Sequence, residues 1–132
     1  MRTAFVLTLV VAIAPHVASA HVVRHNSIPE AYWGTWGPGA CSADDKAAMV
    51  LSAKAYVGPA GKCSVDYVSE TASPNGSTYS ARLLCPGMGA QKKTVANLIF
   101  RPGVDGGISV GPTFASLKAH RRCSERDPAA KK

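Results

Sequence analysis

The dipeptide Asn75-Gly76 divides two runs of alternating polar and apolar residues, and each run carries a cysteine at its far end. Asn-Gly accepts the positive φ that a two-residue hairpin turn requires. Beyond it, Tyr79, Ala81, Leu83 and Cys85 share one face of a strand, and Ser80 and Arg82 the other. Before it, Cys63, Val65 and Tyr67 share a face, with Ser64 and Asp66 opposite. A turn at this position pairs residues whose numbers sum to roughly 148 to 151. Cys63 and Cys85 meet that condition, so they fall nearly opposite each other and a Cys63–Cys85 disulfide is predicted. Cys41 and Cys123 pair by elimination. That second bond joins the region after the first strand to the last strand, which are neighbours in a closed meander. Loop closure alone makes the inner bond worth about 3.4 kcal/mol and the outer about 4.6 kcal/mol. A zinc site would want close pairs such as C-x-x-C, and the four cysteines are all far apart in sequence.

Turn signals recur along the rest of the chain. Gly58-Pro59-Ala60-Gly61, Pro86-Gly87-Met88-Gly89 and the Gly103 to Gly107 loop separate short runs rich in Val, Tyr, Ile and Thr. Strands are expected over Trp33 to Trp36, Ala48 to Ser52, Lys54 to Val57, Cys63 to Glu70, Thr78 to Cys85, Thr94 to Phe100, Ile108 to Gly111 and Ala115 to Cys123. In the last of these, Leu117 and Ala119 alternate with Lys118 and His120. Helix is expected only as single turns. Ser27 would cap Pro29-Glu30-Ala31-Tyr32, with Glu30 completing a capping box, and Ser42-Ala43-Asp44-Asp45 would open a turn into Lys46-Ala47-Ala48. The fold class is therefore all-β: a small antiparallel meander of about eight strands, barrel-like, with two disulfides. The 12 Gly and 9 Pro have no period, which excludes collagen, coiled coil and helical repeat arrays.

The N-terminus carries a separate message. Met1-Arg2-Thr3 is a short basic start, Ala4 to Ala14 is apolar apart from Thr8, and Ala18-Ser19-Ala20 follows Pro15. This is the layout of a secretory signal peptide cut after Ala20. The apolar run has about eleven residues where a membrane span needs roughly 20, so no transmembrane anchor is expected after cleavage. The expected divisions are 1–20 signal peptide, 21–27 flexible segment, 28–124 disulfide-stapled β domain and 125–132 basic tail. The protein is expected to be secreted or periplasmic, where an even number of cysteines is oxidised.

Catalytic signatures are scarce. There is no nucleophile elbow, P-loop, dinucleotide loop or H-E-x-x-H. A small secreted hydrolase would have to use His21, His25 or His120, and neither Asp44-Asp45 nor Asp66 with Glu70 has the spacing of a catalytic pair. An enzyme is not expected, and no cofactor is implied. A different reading is a periplasmic copper-binding protein. A mature chain starting at His21 could chelate copper through its α-amine and imidazole, with His25 or His120 completing the site; the plain alternative is a frayed tail.

Trp33 and Trp36 lie three apart, which on a strand puts Trp36 in the core and leaves Trp33 for a binding surface. The formal charge is +7. Basic clusters occur at Lys92-Lys93, His120-Arg121-Arg122 and Lys131-Lys132. They suit an anionic envelope component or an extracytoplasmic protein. Nucleic acid is not expected as a partner, because aromatic interleaving is missing and the chain is exported. The candidate binding surface is Trp33, Lys92, Lys93, Arg121 and Arg122. Asn75-Gly76-Ser77 is also a glycosylation sequon, relevant only in a eukaryotic secretory route.

The segment from Ile28-Pro29 through Gly34-Thr35-Trp36 to Cys41, with Cys63, Cys85, Gly87-Met88-Gly89 and Arg122-Cys123, resembles a group of small exported bacterial proteins of unknown function. The likeness covers residues 28 to 123. It departs where that group has Glu-Gly and a following Trp, since Met88 stands there and no Trp follows. More remotely, the Gly-x-Trp start is similar to that of lipocalins and of lipocalin-like bacterial inhibitors of secreted metalloproteases. In those inhibitors the N-terminal segment enters the protease cleft, an analogy and not a homology; the sequence as a whole is read as an exported, non-enzymatic, β-barrel-like protein, an envelope binding or inhibitor module.

Overall fold

The computed structural model describes residues 10–15, 21–39, 41, 46–59, 61–87 and 93–123. Nine strands lie among them: β1 (Val22–His25), β2 (Gly34–Gly37), β3 (Met49–Leu51), β4 (Ala55–Gly58), β5 (Gly61–Thr71), β6 (Thr78–Cys85), β7 (Thr94–Pro102), β8 (Ile108–Gly111) and β9 (Lys118–Arg122). Every pairing is antiparallel. Strands β2 to β9 form a closed eight-stranded meander barrel, with β2 pairing β9 at the seam. Three single 3-10 turns, at Glu30–Tyr32, Val104–Gly106 and Phe114–Ser116, are the only helical pieces among the described residues.

The hairpin forms, but through a wider turn than Asn-Gly alone would make: pairing ends at Thr71 and Thr78, Pro74 and Asn75 are the central residues, and Asn75 does not take a positive φ. Gly76 takes φ 111°, its N–H donates to the Ser73 carbonyl at 3.1 Å, and β6 spans Thr78–Cys85. Both disulfides have the predicted connectivity. Cα separations are 4.3 Å for Cys63–Cys85 and 4.8 Å for Cys41–Cys123.

Side chains fill the barrel. Phe100 is fully buried and touches Tyr32 edge-on, with ring centroids 5.0 Å apart, and Tyr79 in a stack at 5.3 Å. Each such pair adds about 0.5–1.5 kcal/mol beyond the area it buries. Trp36, Met49, Leu51, Val65, Val68, Leu83, Leu98, Ile108 and Val110 complete the packing.

Four expectations need correction. First, residues 21–27 are not a flexible segment: Val22–His25 is a strand, paired with Ser69, Glu70 and their neighbours on β5. At eleven residues β5 outruns β4, and β1 takes the edge that β4 leaves. Second, Tyr67 does not share a face with Cys63 and Val65. The β5–β6 register shifts between Val65 and Tyr67. Such a bulge sets two successive residues on one side, so Asp66 and Tyr67 both face outward while Val68 and Glu70 turn inward. Third, the alternation in the last strand is reversed. Lys118, His120 and Arg122 oppose Val110, Ile108 and Trp36, all three buried, and Ala119 faces out. Phe114–Ser116 is a turn, closed by reciprocal hydrogen bonds between Thr113 and Ser116, so the strand starts later and in the other phase. The inward cations sit on a five-residue strand, short enough for Lys118 and Arg122 to reach solvent at its ends.

Fourth, Ser27 does not cap the first turn. Pro29 occupies the cap position with φ −58° and no side-chain cap bond. Burial of Ile28 and donation of its N–H to the Ala53 carbonyl at 2.9 Å hold the entry instead. The turn expected at Ser42 to Asp45 lies outside the described residues.

Candidate functional site

The bulge in β5 builds the most polar spot inside the wall. Because Val68 and Glu70 turn inward, Glu70 stands opposite Val23 on β1 and Tyr79 on β6. His25 Nε2 lies 2.8 Å from Glu70 Oε1, and the Tyr79 hydroxyl donates to Oε2 at 3.2 Å. The Ser77 side chain lies close enough to favour the ionised carboxylate. Ser77, then His25, then Tyr79 hold the Glu70 carboxyl below its ordinary range, against a smaller opposing effect of desolvation. Burial, and then the charge of Glu70, raises the Tyr79 phenol. Burial raises Tyr32 too, followed by its neighbours Tyr79 and Glu70.

In this cluster the Tyr79 hydroxyl and the His25 imidazole both meet the carboxylate of Glu70. The bonds all converge on Glu70 and fasten β1 and β6 to β5.

The histidines are not brought together. His21 is exposed one residue ahead of β1, and extended backbone puts its Cα about 13 Å from that of His25. His120 lies on β9 with Nδ1 2.9 Å from the Lys118 carbonyl. Among the described residues no group of three His, Cys, Asp or Glu side chains is set to hold a metal ion.

The expected binding surface separates into parts. Trp33 follows the first 3-10 turn, is 39% exposed, and donates its indole N–H to the Ile28 carbonyl at 2.8 Å. Trp36 is buried and donates to the Tyr32 carbonyl. Arg122 lies over the Trp36 ring, 4.3 Å from its centroid, and donates to the carbonyls of Trp33 at 2.7 Å and Ala31 at 3.1 Å. Gly34 is required here: a Cβ at its φ of 135° would sit 2.5 Å from the guanidinium. Arg122 therefore spans the end of the barrel as a brace. Arg121 opposes Gly37 and faces outward, Lys93 is exposed just ahead of β7, and Lys92 lies outside the described residues.

Two surface clefts flank the barrel. One, of about 560 Å³, lies beside the Cys63–Cys85 disulfide and is lined by Tyr56, Lys62, Pro86 and Thr94. The other, of about 470 Å³, lies between the Asn75-Gly76 hairpin and the β7–β8 loop, lined by Ser73, Asn75, Thr78, Arg101 and Ser109.

Sequence reasoning missed one constellation on the outer wall of β1, β5 and β6. The Arg24 guanidinium lies 4.1 Å from the centroid of the Tyr67 ring, and Arg82 stands 6.0 Å from the same ring. Arg82 Nε is 3.3 Å from Asp66 Oδ2. These four residues come from three strands, and the bulge at Asp66 turns Tyr67 toward the arginines. No linear cluster could have signalled them.

Comparisons of the chain with known protein families, with curated sequences and with solved structures return no match.

Proposed function

We propose that the chain is an exported, non-enzymatic binding module that acts outside the cytoplasm and meets an anionic envelope component through its outer wall. The observation that carries this reading is the filled interior. Ile28, Trp36, Leu51, Val68 and Phe100 are each 2% exposed or less, and they take up the space an internal ligand would need. Binding then falls to the outside, where cations outnumber acids. Of the described acids, Asp66 and Glu70 are already engaged by Arg82 and His25. Two disulfides suit an oxidising compartment, and the layout of residues 1–20 suits export to one.

Expression of the full chain in a bacterium with an outer membrane, followed by fractionation and intact-mass analysis with and without reductant, tests the reading. The expected product is periplasmic, begins at His21 and carries two disulfides. A cytoplasmic product that retains Met1 would overturn it.

A further inference from the structure

We propose that the outer wall of β1, β5, β6 and β7 binds an oxyanion-bearing linear polysaccharide, with Arg24, Arg82 and Arg101 as its cations; this rests on the reading above and names the surface and the ligand class. The register puts Arg24, Tyr67, Arg82 and Arg101 on the same side of the sheet. Arg24 alternates with the inward His25, Arg82 with the buried Ala81 and Leu83, and Arg101 follows the inward Phe100. Asp66 is the one acid of this wall among the described residues, and Arg82 stands against it. Glu70 points to the other side, toward His25 and Tyr79. Arg24 and Arg101 are left with no carboxylate partner among the described residues. Asp105, in the turn beyond Arg101, is likewise in no ion pair there.

Between the cations the wall is paved with short hydroxyls. Ser69 opposes Ser80, Thr71 opposes Thr78, and Arg101 opposes Ser109. Asn97 opposes Arg82. Opposed residues lie about 5 Å apart and successive ones on a face about 7 Å apart. Hydroxyl and amide groups both donate and accept, as do the hydroxyls of a sugar, whereas phosphodiester oxygens only accept. Ile99, opposite Ser80, is on this face as well but is only 8% exposed; among the described residues the exposed large apolar side chains of the wall lie at its margins, Val22 at the start of β1 and Val95 near the start of β7. A membrane-inserting face would carry them at its centre. The cleft holding Arg101, Thr78, Ser109 and Asn75 ends the wall and offers a deeper seat for one charged sugar.

Calorimetric titration of the processed protein with polygalacturonate, dextran sulfate, neutral dextran, and phosphatidylglycerol–phosphatidylcholine vesicles tests the proposal. The two charged polysaccharides should bind, and raising salt from about 0.05 to 0.5 M should weaken them as the screening length shrinks. Arg101→Gln and Arg24→Gln should each weaken polygalacturonate binding about threefold to tenfold. Lys46→Gln with Arg121→Gln, neither of them on β1, β5, β6 or β7, should change it less than about twofold. Among the described residues Arg101 has no ion pair or ring contact, so its variant reads binding, and Arg101→Lys should keep most of the affinity. Vesicle binding without polysaccharide binding, or tighter binding of neutral than of charged dextran, would overturn the ligand class. A loss in the Lys46/Arg121 variant equal to that in an Arg24/Arg101 double variant would overturn the surface while leaving the general reading intact. No binding by the wild type to any anionic probe would overturn both.

Discussion

Replacing Arg122 by Met isolates the brace across the barrel end. Methionine keeps much of the alkyl stem against Trp36 but removes three interactions. These are two charge-assisted hydrogen bonds, to Trp33 and Ala31, and the contact of the guanidinium with the Trp36 ring. A hydrogen bond to a charged group is worth about 1.5–3 kcal/mol and an exposed cation–π contact about 0.5–1 kcal/mol. Arg122 is exposed, so water can reach the abandoned carbonyls, and the low end applies to each. The expected loss is about 3.5 kcal/mol. For a domain of this size that lowers Tm by roughly 14–18 °C. Arg122→Lys keeps the charge but cannot span two carbonyls as a planar fork, and should fall between Met and wild type. Urea unfolding of the oxidised protein, followed by Trp fluorescence, measures both, and an unchanged denaturant slope confirms that the folded and unfolded states are comparable. The neighbouring Cys41–Cys123 bond keeps β9 attached throughout, so the measurement reports the brace and not the loss of a strand. A Met variant within about 0.5 kcal/mol of wild type, the range of an ordinary surface change, would refute the brace.

Removing Cys41 and Cys123 together, as serines, should cost up to about 4.6 kcal/mol, and removing Cys63 and Cys85 up to about 3.4 kcal/mol; equilibrium unfolding of both variants checks the order. Glu70 supplies the pH test. Its carboxyl is held low in the folded protein, so it contributes stability that is present above the unfolded value of about 4.3 and is lost as pH falls through the lower folded value. Glu70→Gln should therefore flatten the acid limb of a stability–pH curve, and an unchanged acid limb would count against the His25–Glu70–Tyr79 fastening.

The parts of the fold governed by local chemistry were legible in the sequence. The turn signal in Ser73 to Gly76 located β6 and the Cys63–Cys85 pairing, although the turn itself is centred on Pro74-Asn75, because the turn's position and side-chain alternation both act within a few residues. The closed meander followed from short connections, and the outer disulfide by elimination. What escaped depended on partners distant in sequence. Val22–His25 has no alternation of its own and becomes a strand only because β5 is long enough to offer it an edge. One extra residue at Asp66 reverses every side chain beyond it, and nothing in Asp-Tyr announces a bulge. A turn at Phe114–Ser116 likewise reversed the faces of β9 and carried Arg122 from a surface cluster to the barrel end. The outer-wall arginines stand far apart in the chain, and neighbouring strands alone bring them together.

The two disulfides are nested, Cys63–Cys85 lying within the span of Cys41–Cys123. Nested links tolerate damage to the backbone in a graded way. One peptide cut anywhere between Cys41 and Cys123 leaves the two pieces on a single covalent molecule. Two cuts, one before Cys63 and one after Cys85, release the β5–β6 hairpin as a closed loop. If the first cut falls at the tip of that hairpin, a second cut between Cys41 and Cys63, or between Cys85 and Cys123, frees nothing. The Ser73 to Gly76 turn is exposed, and exposed turns are where proteases cut first. This exposed cleavage point in the hairpin is thus also one whose loss the covalent framework absorbs.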